Sequence, residues 1–142
     1  MRWSHSSLIK LEQLDPQLRE IIEEVRNLRD ITIVTGHRGE TEQEHMVELG
    51  RSQVHWPHSK HNTLPSIAVD VQPYPYVEAS LREDLSYIAG LAVAFGASKG
   101  FQIRWGGDWD QDGETHDNSF DDLFHLELVE PGSGPGRSPD SD

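Results

Sequence analysis

Residues 59–70 read Ser59-Lys60-His61-Asn62-Thr63-Leu64-Pro65-Ser66-Ile67-Ala68-Val69-Asp70, a polar, turn-forming run that gives way to an apolar triplet closed by an acid. Ile67, Ala68 and Val69 have the composition of a short buried strand. Asp70 ends that strand, where an ionised carboxylate is costly unless a cation or hydrogen-bond donors compensate it. A partner for Asp70 must be found, and His61 across the turn is the first candidate.

The elements on either side indicate the kind of sheet this strand joins. Asp15-Pro16 has the form of an N-cap followed by proline at the first helical position. Leu18, Ile21, Ile22, Val25 and Leu28 then recur at helical spacing, which predicts a helix over residues 16–29. Ile31-Thr32-Ile33-Val34-Thr35 alternates like a strand and ends at Gly36. Thr41 and Glu44 have the spacing of a capping box, and Met46, Val47 and Leu49 offer an apolar face before Gly50 stops a second helix. Residues 51–65 lack periodicity and read as a long ordered loop, a feature that is usually functional in a small domain.

Beyond Asp70, the run Val71-Gln72-Pro73-Tyr74-Pro75-Tyr76 carries two prolines, which argue against pairing in a central strand. Leu81, Leu85, Ile88, Leu91, Ala92 and Phe95 mark a third helix over residues 80–95. Residues 101–105 and 124–129 are the remaining strand candidates. Strands separated by helices, with uneven connections, predict an α+β fold: one domain over residues 1–130, with a small, largely antiparallel sheet packed by about three helices. Residues 131–142 are a Gly-, Ser- and Pro-rich tail with nothing to pack, expected to be disordered.

A chain of 142 residues suits a single core. Its 25 acids against 12 bases, a formal charge of -13, argue against a nucleic-acid or anionic-membrane partner. The absence of cysteine excludes thiolate catalysis and cysteine-rich zinc sites, so any metal must be held by histidine and carboxylate. No secretory signal and no membrane span are visible, and the expectation is a soluble protein made in the cytoplasm.

Two of the eight histidines stand near a strand and a carboxylate: His61 before Asp70, and His125 after Asp122. His61, Asp70 and His125 would make a three-ligand metal site with a fourth position open for water, the arrangement of catalytic zinc. Asp122, three residues before His125, is then a candidate general base.

Ser59-Lys60-His61, Ala68-Val69-Asp70 and Asp122-Leu123-Phe124-His125-Leu126-Glu127 together resemble the zinc peptidases that include phage endolysin L-alanyl-D-glutamate peptidases and bacterial D-alanyl-D-alanine carboxypeptidases. Their pattern is Ser-x-His, Ala-x-Asp and an acid three residues before a second His. Thr35-Gly36-His37-Arg38 with Glu42-Gln43, and Trp105-Gly106-Gly107-Asp108-Trp109, are similar to further motifs of that family. The chain departs from the pattern in a longer His-to-Asp interval, 70 − 61 = 9 residues, and in Phe124, where endolysin members often have proline.

The resemblance implies Zn2+ on His61, Asp70 and His125, Asp122 as acid and base, and Arg38 as the group that binds the substrate carbonyl or carboxylate. Ser59, Asp108, Trp109 and Glu127 are further candidates, for substrate contacts or for support behind the ligands. The fold it implies is that of the hedgehog and D-Ala-D-Ala peptidases. The expected function is a phage-type endolysin: a zinc endopeptidase cutting the L-alanyl-D-glutamate bond of the peptidoglycan stem peptide. The protein is expected to be monomeric and to act on the wall after release from the host cytoplasm. The alternatives are a D-alanyl-D-alanine carboxypeptidase, or a non-catalytic wall-binding module in which zinc only stabilises the fold.

Overall fold

The computed structural model describes residues 3–107 and 122–129. Helix α1 (His5–Leu11) and helix α2 (Pro16–Leu28) lead into strand β1 (Ile31–Thr35), helix α3 (Glu40–Glu48) and strand β2 (Ala68–Pro73). Helix α4 (Leu81–Ser98), strand β3 (Ile103–Gly106) and strand β4 (Asp122–Leu128) complete the chain order. The four strands form one fully antiparallel sheet in the order β1-β2-β4-β3. The fold class is α+β, as the sequence predicts, with four α-helices among the described residues where about three were expected.

The additional helix is α1, capped by the Ser4 side chain, which accepts from the Ser7 backbone N–H. It packs on β1, where the buried Ser7 hydroxyl accepts from Ile33 N at 3.1 Å. α2 begins as expected, with Asp15 accepting from Gln17 N at 2.9 Å. Its stripe of Leu18, Ile21, Ile22 and Val25 is fully buried against α4 and the sheet. Each such aliphatic side chain contributes about 1.5–3 kcal/mol by leaving water.

Along β2 and β4 alternate residues serve two different purposes. Val69, Val71 and Leu126 face the apolar core. Asp70, His125 and Glu127 are buried but, by the two-residue period of a strand, lie on the opposite face. Asp70 pairs directly with His125 across β2 and β4, so the sheet register alone makes them neighbours.

Three sequence expectations are corrected. β2 runs on through Pro73 as an inner strand. Pro73 faces Ile31 beside the bond from Tyr74 N to Asp30 O, so its nitrogen points away from β1, to the side where pairing with β4 has already ended at Asp70. The missing N–H therefore costs no ladder bond. α3 is capped at Gly39, whose N–H donates to Glu42, and not by Thr41 and Glu44; Glu44 instead accepts from Trp56 N and meets His55. Its buried residue is Gln43, while Leu49 is exposed. β4 starts at Asp122, so this acid lies on the strand and not in a loop before it. The acidic run from Asp108 to residue 121 and the tail after residue 129 lie outside the described residues.

Candidate active site

His61 reaches the sheet from a single 3-10 turn, Lys60–Asn62. Ser59 caps that turn, its hydroxyl accepting from His61 N at 3.2 Å, while Ser59 N donates to the Asn62 side-chain oxygen at 3.0 Å. Ser66 pins the return of the loop: its hydroxyl lies at 2.7 Å from Ala68 O and 3.4 Å from Lys60 O, and its backbone pairs with Gln13 and Asp15 at the α1–α2 junction. The nine-residue interval thus closes through two short hydrogen-bonded pieces.

His61 Nε2, Asp70 Oδ1 and His125 Nδ1 converge. His61 Nε2 is 3.2 Å from His125 Nδ1 and 3.2 Å from Asp70 Oδ1, and His125 Nδ1 is 3.4 Å from the same oxygen. All three residues are buried. The outer ring nitrogens identify the tautomers. His61 Nδ1 donates to the Gly36 carbonyl at 2.9 Å, and His125 Nε2 donates to Glu127 Oε1 at 2.9 Å. Both inward nitrogens then present lone pairs, beside a buried carboxylate oxygen that has no hydrogen-bond partner of its own. Three acceptors facing one another call for a cation.

Zinc satisfies this demand in size as well as in charge, because a tetrahedron with arms of about 2.0–2.1 Å has edges of about 3.3 Å. The three observed separations match one face of such a tetrahedron. Burial pushes the Asp70 carboxyl up, but protonated His61 and His125 beside it would outweigh that and hold it well below the usual carboxylate range, and a cation among the three acceptors would take the place of those protons. An ionised Asp70 is the form a divalent cation needs.

Behind His125 lies a fully buried ionic cluster. Glu127 Oε2 accepts from Lys60 Nζ at 2.7 Å and from Arg104 at 2.8 Å, while its other oxygen holds His125. Burial raises the Glu127 pKa; the His125 hydrogen bond and the charges of His125, Lys60 and Arg104 bring it down to about 2. Lys60 and Arg104 escaped the sequence reading. Their importance comes from cross-strand register, Arg104 opposite Glu127, and from a turn that points Lys60 and His61 at the same strand.

Arg38 is buried, with one guanidinium nitrogen 3.3 Å from Asp70 Oδ2 and another donating to the Gln43 side-chain oxygen at 3.0 Å. It does not pair with Glu40 or Glu42 among the described residues. Gln43, also missed as a functional candidate, accepts from Asn62 as well and donates to the Ser52 hydroxyl at 3.0 Å. Its signal in the sequence was only its place beside Glu42 in a motif; that a polar side chain takes the one buried position of this helix is visible only in three dimensions.

Arg38, Asp70 and Asp122 line one groove, a cavity of about 620 Å³ whose other walls include Val34, Met46, Arg51, Leu123 and Phe124. The structure therefore brings one of the expected ligands, Asp70, and the expected base, Asp122, to one opening. Asp122 owes its place to Gly106, its pairing partner on β3, where a Cβ would collide with the Asp122 carbonyl. Trp105 is structural, buried and donating to Leu123 O at 2.7 Å. Asp108 and Trp109 lie outside the described residues.

No curated protein sequence matches the chain. Among solved structures, that of the Serratia marcescens L-Ala D-Glu endopeptidase ChiX superposes with a TM-score of 0.67 at 23% identity, over 91% of this chain and 90% of that one. It shares the fold. The profile of the phage L-alanyl-D-glutamate peptidases matches residues 1–129, nearly all of the sequence that precedes the tail, and to that family the chain belongs.

Proposed function

We propose that the chain is a zinc-dependent endolysin that hydrolyses the amide bond between L-alanine and D-glutamate in the peptidoglycan stem peptide. Family membership supports the bond cleaved. The observation that carries the metal is the convergence of three acceptor atoms, from His61, Asp70 and His125, at 3.2–3.4 Å from one another.

Zinc held by these three residues would supply Lewis acidity and lower the pKa of water towards about 7. Asp122, on the groove wall, takes a proton from the attacking water on a carboxylate oxygen and delivers it to the departing glutamyl amine. Arg38 donates to the carbonyl oxygen as that atom gains charge. Gln43 and Asp70 hold the guanidinium in place for this. Ser59 fixes the turn that carries His61, and Glu127 fixes the ring of His125.

Among the described residues no helix is long and apolar enough to cross a membrane. The enzyme accumulates in the host cytoplasm, acts on the wall after release, and works as a monomer without a nucleic-acid partner. Digestion of purified muropeptides, with mass spectrometry of the products, tests the reading. The expected product carries D-glutamate at its new amino terminus, and its formation stops on chelation and resumes on adding zinc. Release of terminal D-alanine instead would assign the site to a carboxypeptidase. Sedimentation with intact wall material without any cleavage would assign it to a binding module.

A further inference from the structure

The groove contains a second arginine for which the hydrolytic steps have no use. Arg51 lines the same opening as Arg38, Asp70 and Asp122. Its position is fixed by the end of α3. Gly50 takes a left-handed conformation, φ +72°, while Gly50 N donates to Val47 O at 3.0 Å and Arg51 N to Met46 O at 2.9 Å. That pair of bonds is the Schellman ending of a helix, and it turns the chain sharply enough to present Arg51 on the groove wall.

Charge makes this arginine unusual. The chain has 25 acids for 12 bases, and seven of its other arginines and lysines are engaged: Arg19, Arg26, Arg29, Lys99 and the buried Arg38, Lys60 and Arg104 all meet carboxylates. Arg51 is exposed and, among the described residues, has no carboxylate within ion-pairing distance. A guanidinium with no acid beside it among the described residues, in the wall of the groove, suits an anionic group brought by the substrate.

The substrate has one close to the bond that breaks. A D-glutamyl residue joined through its nitrogen and one of its carboxyl groups retains a second carboxylate, on the leaving side of the scissile amide. We propose that Arg51 binds this free carboxylate and makes the enzyme selective for stem peptides in which it is ionised. The assignment rests on the L-alanyl-D-glutamate reading and adds to it a specificity-determining residue. Arg38, already held by Asp70 and Gln43, is left to the carbonyl oxygen.

Two synthetic stem peptides test it, identical except that the second glutamyl carboxyl is free in one and a primary amide in the other. With zinc-loaded wild-type enzyme, KM is expected to be about tenfold or more lower for the free acid, the size of a charge-assisted contact. Added salt should raise that KM and leave the amide's little changed. In R51Q the two KM values should come within about threefold, since a neutral donor favours neither strongly. In R51E their order should reverse. Because Arg51 is exposed and meets no carboxylate among the described residues, these variants should fold, and an unchanged zinc content and melting temperature check that they do. Wild-type discrimination that survives in R51Q, or equal KM values in the wild type, would overturn the assignment while leaving the peptidase reading intact. Failure of the zinc-loaded wild type to cut either peptide would overturn both.

Discussion

Glu127 shows how one side chain can govern a site that it does not enter. It accepts from His125 on one oxygen and from Lys60 and Arg104 on the other, with no exposure to solvent. The two cations keep it ionised, and an ionised Glu127 keeps the His125 proton on Nε2, which leaves Nδ1 free to bind a metal. Replacing it by glutamine removes the charge and keeps the size. E127Q should weaken zinc binding by about 10- to 100-fold, measured by competition with a chromophoric chelator. It should also lower the melting temperature, because Lys60 and Arg104 then face a neutral amide in a buried position. Asp122 separates from this behaviour. D122N should lower kcat by about 10²- to 10⁴-fold while zinc stoichiometry stays at the wild-type value, since a proton carrier is lost and no ligand is. A D122N enzyme of full activity would exclude Asp122 as the base. At this scale the sequence was most legible where chemistry is rare: histidine and aspartate at strand ends have few structural uses, so His61, Asp70, Asp122 and His125 stood out. Gln43, Lys60 and Arg104 did not, because Gln, Lys and Arg are common on surfaces and only register and burial distinguish them.

In the proposed mechanism the β3–β4 pair is the element on which catalysis depends most, and its irregularity is the reason. Ile103, Arg104 and Trp105 pair in regular order with Leu128, Glu127 and Leu126, and then Gly106 pairs with Asp122, three residues out of step. Within the slipped segment, His125 pairs with Asp70 on β2. One strand thereby brings the proposed ligand His125 beside one neighbour and the proposed base Asp122 beside the other. Gly106 permits the close approach, and G106A would drive a methyl group into the Asp122 backbone. The expected outcome is a loss of activity of about tenfold or more with zinc binding retained, because the β2–β4 contacts that hold the ligands are untouched, together with about 1–3 kcal/mol of destabilisation in a denaturant titration. Parallel loss of zinc and activity would mean that the slip and the ligands are one unit. None of this was legible beforehand. Alternation in residues 124–129 marked a strand but could not tell where pairing began, and a bulge leaves no periodic trace. α3 was misread for a related reason: Met46, Val47 and Leu49 are apolar, yet the helix buries the amide of Gln43 to hold Arg38, and only the partner reveals that.

At the scale of the molecule the sheet has two faces with opposite demands. One is covered by α4, with α2 packed beside it, and holds the aliphatic core. The other holds Asp70, His125, Glu127 and Arg104, all buried and mostly charged. The α+β class and the helices α2 and α4 could be read from periodicity because the first face obeys it; the second face could be read only as chemistry, through the spacing of His61, Asp70 and His125. These three acceptors face one another, and a cation that relieved them would bind only the folded chain, which would link metal and fold thermodynamically. With free zinc at about a thousand times its dissociation constant, the linkage contributes about 4 kcal/mol, which for a domain of this size raises the melting temperature by on the order of 10 °C. Scanning calorimetry of the zinc-loaded and chelator-treated protein measures this directly. The gain should grow with the logarithm of free zinc and should be nearly absent in H125A, where the donor set is incomplete. If H125A gained as much as the wild type, zinc would be stabilising the protein from somewhere other than this site, and the convergence of His61, Asp70 and His125 would need another occupant.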